Sequence, residues 1–307
     1  MLPITVVALV AVVYAIVVAL YASSGDVAVR QDAADGDVVL QLTPERVDTG
    51  TNRIVGSLLP VKTAADETVG ENVVAASDFS VLVSGGDGTR TIDYSESQVL
   101  SPAQVEFLAE GAIERWPFDT YTVTTVVVAV ADLDGDGDLD PLPTAITGAG
   151  RVPGWDIEAE TVDIGATYDT GDEVIEVPGM RLEATRSGST VAFGIVLLSL
   201  MVVMPVLVLT VALTVFRGRR KVEATMMSWI GAMLFATIPL RNFLPGNPPI
   251  GSWVDYLIVL WVIAGLVVGL VVFVAAWLRL GPDGPASAPS AAGEGARQVH
   301  VSGRRRS

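Results

Sequence analysis

The apolar positions of this chain fall into two textures. Residues 2–25 carry no charged side chain, and the apolar run through Leu20 is long enough to cross roughly 30 Å of hydrocarbon. A cleaved signal peptide, cut near Ala22, is the competing reading. The length of the run and the missing basic stretch ahead of it favour an uncleaved anchor. From 26 to 187 the texture changes to short β-branched runs separated by Gly, Asp and Pro, at 38–42, 54–59, 79–84, 91–94, 121–131, 158–164 and 174–177. That spacing predicts an antiparallel β-sandwich or barrel. One helix is expected within it, over 102–113, with Ser101 as N-cap and Pro102 at the first helical position. After 187 the continuous apolar texture returns, as runs over 187–216, 224–240 and 256–278. Met204-Pro205 predicts a kink in the first of these.

The fold class expected is an α+β membrane protein: an extracytoplasmic antiparallel β-sandwich-like domain plus four transmembrane helices. Residues 1–25 form the anchor, 26–187 the β domain, 188–280 a three-helix bundle, and 281–307 a Pro/Ala/Gly/Ser-rich disordered tail. Arg and Lys in short loops stay cytoplasmic, which orients the whole chain. The clusters Arg217-Gly218-Arg219-Arg220-Lys221 and Arg304-Arg305-Arg306 then both lie inside, with both termini, and the β domain outside. Gly231, Ala232, Gly265 and Gly269 would let the helices approach closely.

Charge sharpens this picture. Between Asp26 and Ser187 stand 31 acids and 9 basic residues, against 4 acids and 10 basic residues elsewhere. So acidic a domain repels nucleic acid and anionic headgroups and attracts cations. The chain has no cysteine, which removes disulfides, thiolate metal sites and cysteine nucleophiles. Its single histidine, His300, stands in the tail, so no Ser/His/Asp set can form. No ionisable side chain falls inside an apolar run away from its ends, which argues against ion-coupled transport.

Three stretches carry candidate chemistry. Asp132, Asp134, Asp136, Asp138 and Asp140 alternate through a loop with Gly135 and Gly137, as at the opening of a calcium loop. The residue that would close the shell with a bidentate Glu is Pro143, so weak Ca2+ binding and a plain acidic turn both stay open. Trp116-Pro117-Phe118-Asp119 resembles the loop with which pentameric ligand-gated channels rest on their membrane domain. Those receptors flank it with cysteines and place all four spans after it, unlike this chain. The run is therefore read as a bend into a strand: Pro117 turns the chain, Trp116 and Phe118 pack, and Asp119 bonds local amides. The third stretch joins the last two apolar runs. Pro245, Gly246, Pro248, Pro249 and Gly251 exclude a continuous helix there, with Arg241 and Asp255 as its only charges. An unpaired charge at a membrane boundary is costly, so Arg241 and Asp255 are expected to pair and hold the flanking helices in register.

Together, Trp116-Pro117-Phe118-Asp119, Tyr121, Arg186-Ser187 and the 240–255 loop make the chain similar to the bacterial domain-of-unknown-function family 4436, over roughly residues 1–280. The resemblance implies one span before an outer β domain and three after it, and no established activity. The working expectation is a cell-envelope protein whose acidic domain binds or scaffolds an envelope component or a membrane partner protein in the lipid bilayer. An oligomeric channel-like or transport accessory protein, built as a homo-oligomer, is the second reading. An envelope hydrolase using two carboxylates is the third.

Overall fold

The computed structural model describes residues 15, 18–19, 27–30, 38–62, 67–69, 72–85, 88–133, 135, 137–170, 174–220 and 223–280. Most of the expected first span, Asp134 and Asp136 of the acidic loop, Lys221 and the tail lie outside them.

Among the described residues, fourteen strands build the β domain. The larger sheet contains β1 (Val27–Arg30), β6 (Phe79–Gly85), β7 (Gly88–Tyr94), β10 (Thr120–Ala131), β13 (Trp155–Asp169) and β14 (Val174–Arg186), ordered β1-β13-β14-β10-β6-β7. Two short strands, β9 (Glu110–Gly111) and β11 (Asp140–Leu142), also pair with β10. The second sheet is formed by β2 (Val38–Asp48), β3 (Arg53–Lys62), β8 (Ala103–Leu108) and β12 (Thr144–Gly148), ordered β12-β2-β3-β8. A separate hairpin joins β4 (Glu67–Val69) to β5 (Asn72–Val74). The two sheets bury their facing side chains against each other. Leu40, Leu42, Ile54, Leu58 and Phe107 of the second sheet share one core with Tyr121, Ile157, Leu182 and Ala184 of the first. Alternate residues of a strand face opposite sides, and the buried/exposed alternation along β6 and β8 is that period made visible.

The sandwich is mixed rather than wholly antiparallel. β1 runs parallel to β13, and β12 parallel to β2. The expected helix over 102–113 is a strand and a turn: β8 pairs antiparallel with β3, and a 3-10 turn follows at Ile113–Arg115. Val105 and Phe107 are buried while Gln104, Glu106 and Leu108 point out, a period of two that the helix-start signal at Ser101-Pro102 concealed.

Three helices follow: α1 (Gly188–Phe216), α2 (Ala224–Asn242) and α3 (Leu260–Leu280), the last extended at its start by a π-helical turn, Asp255–Val259. Among the described residues, two helical stretches, Gly188–Phe216 and Asp255–Arg279, are long and apolar enough to cross a membrane. Gly265 and Gly269 explain how α1 and α3 approach. A Cβ on Gly265 would come within 2.9 Å of Pro205, and one on Gly269 within 2.5 Å of Val208. Gly231 has nothing within 4 Å of its would-be Cβ and packs no neighbour.

Candidate functional site at the domain junction

The candidate site lies where the β domain meets the helices, and it is assembled from segments far apart in sequence. After the 3-10 turn, Trp116 and Pro117 are joined by a cis peptide, and the Phe118 amide donates back to the Arg115 carbonyl at 3.0 Å. The turn drives the Trp116 ring into the helical core. Trp116 is 2 % exposed and clusters with Leu198, Met201, Leu244 and Val254, all outside the β domain. Its indole Nε1 donates to the Pro245 carbonyl at 2.8 Å. A Cβ at Gly194 would reach within 2.8 Å of the indole, so only glycine lets α1 lie this close to the ring.

One residue before β10 begins, Asp119 turns from the local backbone and accepts two parallel bonds from the Arg186 guanidinium. Arg186 Nε donates to Oδ1 at 2.8 Å and Nη2 to Oδ2 at 2.9 Å, with the side chains 0 % and 3 % exposed. A bidentate geometry of this kind fixes direction as well as charge. The same guanidinium lies over the Trp155 ring, 4.4 Å from its centroid, and Trp155 meets Tyr121 edge-to-face. Gly246, at φ +77°, seals the arrangement: a Cβ there would come within 2.1 Å of Arg186 Nη1. Residue 187 then ends the strand and begins the helix. Its amide donates to the Gly154 carbonyl at 3.0 Å, and Ser187 Oγ caps the Thr190 amide of α1. The Tyr121 hydroxyl is buried with no hydrogen-bond partner among the described residues. Burial, with the Asp119 carboxylate nearby, pushes its phenol above the ordinary range.

The α2–α3 loop forms the second half of the junction. Arg241 Nε donates to Asp255 Oδ1 at 3.1 Å, and Nη2 to Oδ2 at 2.9 Å and to the Pro249 carbonyl at 3.1 Å. The Gly251 amide adds a bond to Asp255 Oδ2 at 2.8 Å. Pro248 is buried and Pro249 exposed. Thus Arg241, Pro245, Gly246 and Asp255 come together with Trp116, Pro117 and Asp119 in one region.

Two of the sequence expectations need correction. Asp119 bonds Arg186 and not local amides, because burying a carboxylate demands a partner of opposite charge. Phe118 does not pack in the core: it is 72 % exposed on the junction surface. Arg186 and Trp155 were the residues that sequence reasoning missed as a site. The signal was available for Arg186, a lone cation directly before a thirty-residue uncharged run.

The acidic loop stands apart from the junction. Asp132 commits both carboxylate oxygens to loop amides, Oδ1 to Gly135 at 2.6 Å and Oδ2 to Gly137 at 3.2 Å. Asp138 is exposed, and Asp140 pairs with Ala131 in the sheet. Among the described residues no three acids gather as a metal site would require.

Residues 27–176 match the family model described as Domain of unknown function (DUF4436). The β domain belongs to the DUF4436 family. Residues 186–280 match a second model, Domain of unknown function (DUF8686). Arg186-Ser187 and the 240–255 loop, read from sequence as marks of the first family, therefore fall under the second. The junction is where the two matched regions meet: Asp119 and Trp116 fall under the first match, and Arg186, the last residue of β14, falls under the second with Gly194 and Pro245. No curated protein matches the chain.

Proposed function

We propose that this is an integral cell-envelope protein crossing the membrane four times, with both termini in the cytoplasm, and that its DUF4436 domain is an outward-facing binding or scaffolding module. The observation that carries the reading is the junction: a domain tied to the helices through the Trp116–Pro245 bond, the ring against Gly194 and Arg186 against Gly246 is held in one attitude toward the bilayer.

The helices supply the membrane part of the argument. Phe193, Val206, Leu207, Phe235, Trp261 and Val271 are large, apolar and exposed, a surface that hydrocarbon accepts and water does not. Phe118, Phe243, Trp253 and Tyr256 are exposed at the junction end, while Phe216 and Trp277 are exposed at the far end. Aromatic side chains favour the two membrane–water boundaries. From Gly194 to Phe216 the helix rises about 33 Å, close to the thickness of the hydrocarbon core.

The outward face of the large sheet supports a binding role. Glu158 of β13 stands directly opposite Glu183 of β14, and both are exposed. Like charges directly opposed across a sheet are destabilising, a cost that a cationic partner offsets on binding.

The absence of cysteine makes topology testable by single substitutions. Ser95→Cys in the domain should react with a membrane-impermeant maleimide on intact cells, and Arg219→Cys only after lysis; the reverse pattern sinks the topology. For the binding role, photo-crosslinkers at positions 158 and 183 in native membranes should give a discrete adduct. Absence of any adduct from both positions would count against it.

A further inference from the structure

Beneath the Trp116-Pro117 turn, between α1 and the start of the third helical stretch, runs an apolar groove of about 830 Å³. Its walls include Phe118, Leu198, Val202, Trp253 and Leu257. That volume is in the range, about 300–1,000 Å³, of sites that enclose small ligands. Directly beside it lies a smaller depression of about 260 Å³ with polar lining, formed by Glu110, Gly111, Ala112, Arg115, Phe118 and Thr120. Arg115 and Phe118 line both.

The two hollows together are amphipathic, and their charges are specific. Arg115 and Glu110 are exposed, and no ion pair holds either side chain among the described residues. One cation and one anion at the mouth of an apolar slot complement a zwitterion that carries a hydrocarbon chain. The polar depression lies on the β-domain side and the groove along the helices, which is the order of headgroup and acyl chain in the outer leaflet.

We infer that the junction binds one aminophospholipid of the phosphoethanolamine class: an acyl chain in the groove, the phosphate on Arg115 and the ammonium on Glu110. The inference rests on the membrane reading proposed above. Glu110 and the acidic domain behind it disfavour a headgroup that carries phosphate without an amine. A lipid with no phosphate loses the Arg115 contact. The bound molecule touches Phe118 and Trp253 on either side of the slot, and so bridges the DUF4436 domain and the α2–α3 loop.

The test is native mass spectrometry of the full chain in detergent, with phosphatidylethanolamine, phosphatidylglycerol or diacylglycerol added in turn. One phosphatidylethanolamine should be retained in preference to the other two. Arg115→Gln should weaken retention of both phospholipids about fivefold, the effect of one surface cation. Glu110→Gln should abolish the preference for phosphatidylethanolamine over phosphatidylglycerol. Ser199→Trp and Val203→Trp, each placing a ring in the groove, should remove retention while leaving the melting midpoint unchanged. Equal retention of all three lipids, or retention surviving both groove-filling variants, overturns the inference. If the maleimide pattern holds and no phosphatidylethanolamine is retained, the lipid site fails alone. A reversed maleimide pattern fails the topology instead.

Discussion

Truncating Asp119 tests the junction most directly. Asp119→Ala leaves the Arg186 guanidinium 3 % exposed with its carboxylate partner gone. Breaking a buried pair from one side costs about 3–5 kcal/mol, because the surviving charge stays desolvated. For a domain of this size each kcal/mol moves the midpoint by about 2–4 °C, so Asp119→Ala should lower it by about 6–20 °C. Arg186→Met should do the same, and adds the loss of the guanidinium–ring contact at Trp155. The double variant removes both charges and leaves methionine to fill part of the space. It should therefore fall well short of the sum of the singles, with a coupling of about 2–3 kcal/mol. The Trp155 contact is lost in both Arg186→Met backgrounds and cancels from the cycle. Differential scanning fluorimetry of the full chain in detergent reads all four proteins. Additivity within about 0.5 kcal/mol would mean that the two side chains do not act as a pair, and would refute the junction as described.

Other predictions follow from the same geometry. Trp116→Phe keeps a ring but removes the donor to the part-buried Pro245 carbonyl, which should cost about 1 kcal/mol and speed amide exchange across residues 244–250; unchanged exchange there would count against the bond. Gly246→Ala forces a left-handed alanine against Arg186 and should destabilise by at least about 1 kcal/mol, whereas Gly231→Ala, in open helix, should be neutral or slightly stabilising, both read as midpoint shifts. The Asp48 carboxyl is held below its usual value of 3.8, chiefly by its bonds to Thr51. Its contribution is therefore present above pH 3.8 and lost as pH falls below it, so Asp48→Ala should flatten the acid limb of a midpoint-versus-pH curve. Arg241→Ala and Asp255→Ala should each reduce yield of folded protein, and exchanging the two charges should restore it. Normal expression of both single variants would leave the pair without a structural role.

The β domain was legible wherever a strand reports itself locally. The runs at 38–42, 79–84 and 121–131 are β-branched, bounded by Gly, Asp or Pro, and each lies inside an observed strand. β8 was misread because its start, Ser101-Pro102, is chemically a helix start, and only pairing with β3 overrides that preference. Arg241 and Asp255 could be foreseen as partners because they flank one rigid loop and are fourteen positions apart. The partner of Asp119 lies sixty-seven positions away, on a strand whose placement depends on the whole sheet. No local pattern encodes such a pairing. Phe118 failed for another reason: apolar character predicts burial, and this residue is exposed on the junction surface beside the apolar groove between the helices.

Apolar packing alone could have filled the space that Asp119 and Arg186 occupy, and such replacements are often neutral or stabilising. What an ion pair adds is direction. The Arg186 guanidinium touches Asp119 at the entry to β10, the ring of Trp155 on β13 and the backbone of Gly246 in the α2–α3 loop. Trp116 reaches the same loop through Pro245 and the first helix through Gly194. A hydrophobic plug would leave that position free to turn; two parallel N–H···O bonds fix the guanidinium against Gly246, and the Trp116 ring is wedged against Gly194. Residue 187 leaves no slack either, since it closes the strand ladder and caps α1 in a single position. The sandwich thus meets α1 and the α2–α3 loop through one ring, one guanidinium and one capping serine, each fixed by a bond or by a glycine that admits no side chain.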